Sequence, residues 1–310
     1  MASYMPIKLL ENFRAVFYAP FYAAPALGAF AAEGLDVKIE PSPDAALTMQ
    51  TVISGGAEVS WGGPLRLMFA REKFPESDPI VFCEVVGRDP FFVLGRSPNP
   101  GFRLADLYGK KLAKVTEVPT PWMCLQHDMR SAGLDASRIT LAPDRPMPEN
   151  CAAMRSGEID LVQVFQPYAA QLVESGEAHI WYAAATRGPT AYTSLNTTRG
   201  YAQKNPDILL AMCRAMYRTQ KWIAAHDGKE LAEAIQRYFP DLSRTTLAAC
   251  LEAYLRLGLW NRTPTMYREG LEWLRDAALA AGLLRTRFRY EDVAEMSFAE
   301  RAIEEDPPSP

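Results

Sequence analysis

Leu35, Val37 and Ile39 alternate with Asp36, Lys38 and Glu40, which is the period of a half-buried strand. On both sides the spacing becomes helical. One helix opens at Pro20 and closes at Gly34; a second is capped by Ser42-Pro43-Asp44 and ends at Gly55-Gly56. Proline near a helix start and glycine just past its end suit the backbone needs of those positions. Residues 7–10 read as an earlier strand, and Ala57-Glu58-Val59-Ser60-Trp61 as a later one. The same punctuation recurs about a hundred residues on. There Ser131-Ala132-Gly133-Leu134-Asp135 precedes a strand at 139–141, a helix ending Ser156-Gly157, and a strand running from Ile159 to Phe165. The pattern predicts one α/β lobe built twice, with a cleft between the copies where a small ligand can sit.

Two further apolar runs, 79–86 and 90–94, read as strands of the first lobe, and the turn-rich 97–103 as a crossing into the second. A strand at 191–195 returns to the first lobe. The expected division is lobe I over 1–98, lobe II over 99–186, and the return strand with C-terminal helices over 187–300. The acidic, proline-rich 301–310 reads as a disordered tail.

With 310 residues, 48% hydrophobic and 23% charged, the chain can build two full cores. Its formal net charge of -4 offers no basic surface for a phosphate backbone, so nucleic acid is not an expected partner. No apolar run approaches the length of about 18 residues needed to span a membrane. Met1-Ala2-Ser3-Tyr4-Met5-Pro6 lacks the basic and apolar regions of a secretion signal. The expected compartment is therefore the cytoplasm for the sequence as it stands, and the periplasm if a leader has been removed. Cys83, Cys124, Cys151, Cys213 and Cys250 are odd in number and scattered, which suits free buried thiols. His127, His179 and His226 have no metal-like spacing. No metal or cofactor is expected, and the chain is expected to be a monomer.

In a parallel α/β lobe the ligand lies beyond the carboxyl ends of the strands. Four loops meet that condition, 12–18, 60–64, 116–122 and 165–168. They nominate Asn12, Phe13, Arg14, Phe17 and Tyr18; Ser60, Trp61, Gly62 and Gly63; Glu117, Thr120 and Trp122; and Phe165, Gln166 and Tyr168. Rings on both sides would sandwich a flat ligand, the alternative for each being packing beneath its own loop. Arg14 would bind a carboxylate, sulfonate or phosphate, unless it is a surface residue or pairs with Glu117. Backbone N–H groups before Trp122 favour an anion, whereas Glu117 favours a donor-bearing ligand such as an aminopyrimidine; both stay open. Gly62-Gly63 either admits a ligand close to the backbone or makes a tight turn. Gly109-Lys110-Lys111 is not a phosphate loop, because Leu104 stands where that pattern needs glycine. Cys124 and His127 share a helical face and could pair, the alternative being a buried thiol beside a core histidine.

Tyr18-Ala19-Pro20-Phe21-Tyr22-Ala23-Ala24, Glu33-Gly34-Leu35-Asp36-Val37, Gly55-Gly56-Ala57-Glu58-Val59, Leu104-Ala105-Asp106-Leu107-Tyr108-Gly109-Lys110-Lys111 and Ser156-Gly157-Glu158-Ile159-Asp160 together resemble the NMT1/THI5-like, or SsuA-like, family over about residues 6–230. The resemblance implies a two-lobed type II periplasmic-binding-protein (Venus flytrap) α/β fold. It also implies a small planar anionic or heteroaromatic ligand, of sulfonate, aromatic carboxylate or thiamine-precursor type, delivered to an ABC permease and ATPase. Trp61 and Arg14 would close on it from one side, and Trp122, Phe165 and Tyr168 from the other. The same fold resembles a few cytoplasmic enzymes, a pyrimidine synthase, an aromatic sulfinate desulfinase and a dihydroxyphthalate decarboxylase, which keeps catalysis on an aromatic acid or pyrimidine as an alternative. The pyrimidine synthase would need a cysteine-rich iron-binding run, which is absent. The desulfinase would need a cysteine and a histidine where Phe17-Tyr18 and Ser60-Trp61 stand.

Overall fold

A computed structural model describes residues 6–44 and 46–310, so the N-terminal reading on Met1 to Met5 lies outside it. Among the described residues, ten strands form two five-stranded sheets. The first, in the order β2-β1-β3-β10-β4, contains β1 (Ile7–Glu11), β2 (Val37–Pro41), β3 (Val59–Gly62), β4 (Pro79–Val86) and β10 (Thr193–Thr198). The second, in the order β7-β6-β8-β5-β9, contains β5 (Phe92–Gly95), β6 (Lys111–Ala113), β7 (Thr140–Leu141), β8 (Leu161–Val164) and β9 (His179–Ala183). The two orders superpose position for position. In both, the first three strands are parallel and the fourth, β10 or β5, runs antiparallel to its neighbours.

The repeated punctuation has a local cause. Gly34 and Gly133 both have φ +74°, and Gly55 and Gly157 both have φ +78°, a left-handed turn that ends a helix and that L side chains rarely adopt. Each copy thus stops its helices with the same residue at the same place before the next strand.

Two boundaries differ from the sequence reading. Residues 90–94 do not extend the first sheet: β5 pairs Phe92 with Val164 of β8 and with Ala183 of β9. The first crossing is therefore 87–91 rather than 97–103, and the second is 184–192. An apolar run specifies burial but not which sheet buries it, and here both sheets were available. The C-terminal end is also not a disordered tail. Ser297–Glu305 is a helix, with Ala299 and Ala302 buried. Its acidic side meets a basic row on the long helix Pro206–Ala225, with Arg214 to Glu305 and Lys221 to Asp306 each at 2.7 Å, and Arg218 donates to the Pro308 carbonyl. Acidic composition reads as disorder only when no opposite charge is in reach.

The later helices tie the units together. Tyr254, on Arg244–Arg256, donates its hydroxyl hydrogen to the Pro90 carbonyl (3.1 Å) in the first crossing and accepts from the Gln166 N–H (3.0 Å). The helix Arg268–Ala280 packs against both Pro64–Lys73 of the first unit and Thr120–Ser131 of the second.

Candidate functional site

The loops beyond β1, β3 and β6 converge on a cavity of ≈ 80 Å³ between the units. Asn12, Phe13, Phe17 and Tyr18 come from beyond β1, and Gly63, Leu65, Arg66 and Phe69 from the start of the 64–73 helix. Val118, Pro119 and Thr120 come from the start of the 120–131 helix. The two crossings contribute Phe91, Ala191 and Tyr192, and the 268–280 helix contributes Leu274. Two helix N-termini of ten and twelve residues thus open onto one space, each with proline in its first turn. Their free N–H groups and positive dipole ends favour an anion.

The polar groups agree. No carboxylate is among the lining residues, whereas Arg66 supplies a cation. The phenol of Tyr18 is fully buried, and burial raises its pKa while the charge of Arg66 opposes the rise, so it stays a hydrogen-bond donor. It lies near Asn12 and Thr193. Thr193 and Asn12 both bond the phenol through their side chains, yet Asn12, 6% exposed, leaves its Oδ1 without a hydrogen bond among the described residues. Buried polar atoms are normally satisfied, so unpaired ones beside a cavity point to a partner that occupies it.

Of the residues nominated from sequence, Asn12, Phe13, Phe17, Tyr18, Gly63 and Thr120 line this cavity. Gly62 lies just behind it, where a Cβ would meet Asn12 Nδ2 at 2.7 Å, so the residue must be this small for Asn12 to keep its place. Ser60 is buried in β3. Trp61 does not face the cleft: it is 0% exposed, stacked on Phe21 at 4.8 Å and 9°, with Tyr22 edge-on at 5.6 Å. Strand alternation sends it to the opposite face of the sheet, against the helix Ala19–Ala26. Arg14 pairs with Glu11, at 2.8 and 2.9 Å, and not with Glu117. Glu117 instead accepts the Met147 N–H at 2.6 Å, capping the helix Met147–Ser156. Trp122 packs against the smaller apolar cluster of the second unit.

Arg14, Phe165, Gln166 and Tyr168 line a separate pocket of ≈ 350 Å³ together with residues 238–242. Arg66 and Tyr192 were missed by sequence. Arg66 sits in the first helical turn after Gly62-Gly63-Pro64, two positions past the nominated loop, so the same loop logic reaches it. Phe91 and Leu274 carry no such signal, because only the long-range fold brings them here.

Beside the cavity, an ionic network joins the crossings. Arg187 of the second crossing binds Asp89 of the first at 2.7 Å and Asp128 of the 120–131 helix at 2.5 Å, all with side chains no more than 8% exposed. Trp273 covers its guanidinium at 4.7 Å, and Tyr182 donates to Asp128 at 2.9 Å. Cys124 abuts this network with its thiol pKa pushed up by burial and by Asp89. His127 packs edge-on against Trp273 at 4.9 Å, its pKa lowered by burial and by Arg130. Both shifts favour the neutral forms, the reverse of an activated thiolate–imidazolium pair. All five cysteines are free and buried, with Cys213 beside Cys83. No group of three or more His, Cys, Asp or Glu among the described residues is placed to hold a metal ion, and no described helix is long and apolar enough to cross a membrane.

The family model described as NMT1/THI5 like matches residues 16–229. The Bacillus subtilis (strain 168) protein described as "Putative binding protein YtlA" is 24% identical over 301 residues, 96% of this chain and 90% of that protein. Among solved structures, the periplasmic aliphatic sulphonate binding protein SsuA from Escherichia coli matches with TM-score 0.74 at 16% identity, covering 94% of this chain and 98% of that one. The desulfurization enzyme DSZB matches with TM-score 0.70 at 15% identity, covering 97% and 100%. A binding protein and an enzyme thus share this two-sheet fold, and the residues of the site must separate the two activities.

Proposed function

The chain belongs to the NMT1/THI5-like family, and we propose that it is a solute-binding protein that closes its two units around a small anion and presents it to an ABC importer. The observation that carries this reading is the cavity itself. Arg66 and two helix N-termini face a space with no lining carboxylate, beside the unpaired buried Oδ1 of Asn12. Phe13, Phe17 and Tyr192 give it flat apolar walls, which suit an organic anion over a fully hydrated inorganic one. A sulfonate or aromatic carboxylate fits the two helix N-termini and a lining free of carboxylates better than a neutral aminopyrimidine. The SsuA relative is periplasmic, and we place this chain in the same compartment. The neutral, buried Cys124 and the capping role of Glu117 favour binding over catalysis.

The first test is thermal unfolding with sulfonates, aromatic carboxylates, aminopyrimidines and nitrate, each mixture being analysed afterwards for chemical change. A ligand at about 100 times its dissociation constant adds about 2.7 kcal/mol. Organic anions are expected to raise the melting temperature and to be recovered intact; consumption of the stabilising compound would establish an enzyme instead. In the same assay, Arg66→Gln is expected to weaken the best anion by about tenfold or more, the worth of one charged hydrogen bond. Equal affinity in the variant would place the anion elsewhere.

A further inference from the structure

Two of the five cysteines, Cys83 and Cys213, lie 130 residues apart in sequence and meet in the core. Each end of the contact has a local cause. β4 is buried along all eight of its residues, and alternation puts Val81, Cys83 and Val85 on one face of it. On the helix Pro206–Ala225, Leu209, Cys213, Met216, Gln220 and Ile223 recur at intervals of four and three and are all buried, which makes one continuous stripe. Two bonds lay that stripe along the strand. Cys213 Sγ donates to the Phe82 carbonyl at 3.3 Å, and Gln220 Nε2, seven residues further on, donates to the Glu84 carbonyl at 3.0 Å. Cys213 Sγ thus sits against the peptide that joins Phe82 to Cys83. The two thiols share a hydrogen bond there, and both residues are 0% exposed.

The other three cysteines have different surroundings. Cys124 abuts Asp89, Cys250 Sγ donates to Gln166 Oε1 at 3.6 Å, and the charged groups around Cys151 are Arg155, Glu117 and Glu177. Among the five, the fold therefore brings one pair of sulfurs together.

We propose that Cys83 and Cys213 are a disulfide-forming pair, which closes when the chain folds in an oxidising compartment and pins the helix Pro206–Ala225 to β4, the strand that leads into the first crossing. The compartment rests on the reading above, whereas the pairing rests on the contact alone. In the step, two S–H bonds break and one S–S bond forms. Two protons go to solvent, and two electrons reduce the disulfide of an exchange partner, such as oxidised glutathione, to two thiols. The attacking species is a thiolate, and burial raises the Cys213 thiol pKa well above its ordinary value, so exchange starts in the incompletely folded chain and not in the closed core. Folding then selects the pair. A loop this long, once closed, removes more freedom from the unfolded chain than a short one does.

The test is refolding of the denatured, reduced wild type in a glutathione buffer rich in the oxidised form, followed by alkylation in denaturant, thiol counting and peptide mapping by mass spectrometry. The expected result is the loss of two of the five thiols to a link between Cys83 and Cys213. The oxidised protein should melt higher than the reduced one by on the order of 5 °C. Cys213→Ala, refolded in the same buffer, is expected to keep its four remaining thiols free and to melt alike in oxidising and reducing buffer. Should that variant not fold, the peptide map of the wild type decides by itself. Five free thiols, a link through any other cysteine, or an oxidised form that melts no higher than the reduced one overturns the proposal. The assay contains no ligand, so its failure leaves anion binding standing, and a wild type that binds no organic anion leaves the pairing standing.

Discussion

Replacing Arg187 with methionine is expected to lower the melting temperature by on the order of 10 °C. The guanidinium neutralises two carboxylates at once, Asp89 at 1% and Asp128 at 8% side-chain exposure. Removing one partner of a buried ionic group leaves uncompensated charge and costs about 3–5 kcal/mol, whereas removing the whole group is often close to neutral. Arg187→Met combined with Asp89→Asn and Asp128→Asn is therefore expected to recover most of the loss. If the triple variant is as unstable as the single one, the cost comes from lost packing on Trp273 rather than from the carboxylates.

The sign of the pH dependence separates these causes further. Burial holds the Asp89 pKa above its usual value even with Arg187 present, and without Arg187 it rises more. A carboxyl with a raised folded-state pKa contributes stability at low pH and loses it as pH rises. The deficit of Arg187→Met should accordingly shrink in acid and be largest at neutral pH and above. Denaturation curves from about pH 4 to 8 read this directly. The network has a functional side as well: Asp128 belongs to the helix whose first residue, Thr120, lines the cavity, and Asp89 and Arg187 stand in the two crossings. Loss of Arg187 is expected to weaken anion binding together with stability, because it frees the 120–131 helix from both crossings.

What could be read from the chain beforehand follows from how local each signal is. The duplicated lobe was legible because Gly34, Gly55, Gly133 and Gly157 answer a backbone requirement settled within a few residues. Asn12, Phe13, Phe17, Tyr18 and Thr120 were legible because each follows a strand within a few positions, and strand ends set the floor of the cavity. Trp61 was misjudged for a definite reason. All four residues of β3 are buried, so the strand has no polar face to show which way an odd position points. The partner sheet of β5 and the approach of Leu274 depend on contacts far apart in sequence, and no short pattern encodes them. The C-terminal helix was hidden by composition, since its acidic residues find their basic partners about ninety positions earlier, at Arg214 and Lys221.

Glu84 leads to the other large effect. It sits fully buried in β4, one carboxylate oxygen accepting from Asn261 Nδ2 at 2.7 Å and the other without a side-chain partner among the described residues. Burial pushes its pKa up to about 8, against the opposing pull of Asn261 and the Tyr267 N–H. Asn261 cannot move away easily, since its side chain occupies the space where a Cβ on Gly87 would lie, 1.8 Å from its Oδ1, and its N–H bonds the Val85 carbonyl. Between the ordinary value of 4.5 and about 8 the folded chain thus keeps a proton that the unfolded chain has released. Stability from this group is complete below the lower value and falls by about 1.4 kcal/mol per pH unit across the window, a loss on the order of 4–5 kcal/mol. Glu84→Gln has no proton to lose and can still accept from Asn261. Relative to the wild type it should therefore gain that amount as pH rises from about 5 to 8 and level off above. Titrations common to both proteins cancel in the difference. Chemical denaturation of the pair across this range checks it, and parallel profiles would mean that Glu84 titrates alike in the folded and unfolded chain. Because β4 runs directly into the first crossing at Gly87, a wild type measured above pH 8 carries a buried charge three residues from the segment that joins the two units. Affinities for the anion are then expected to fall in alkaline buffer for the wild type and to hold for Glu84→Gln.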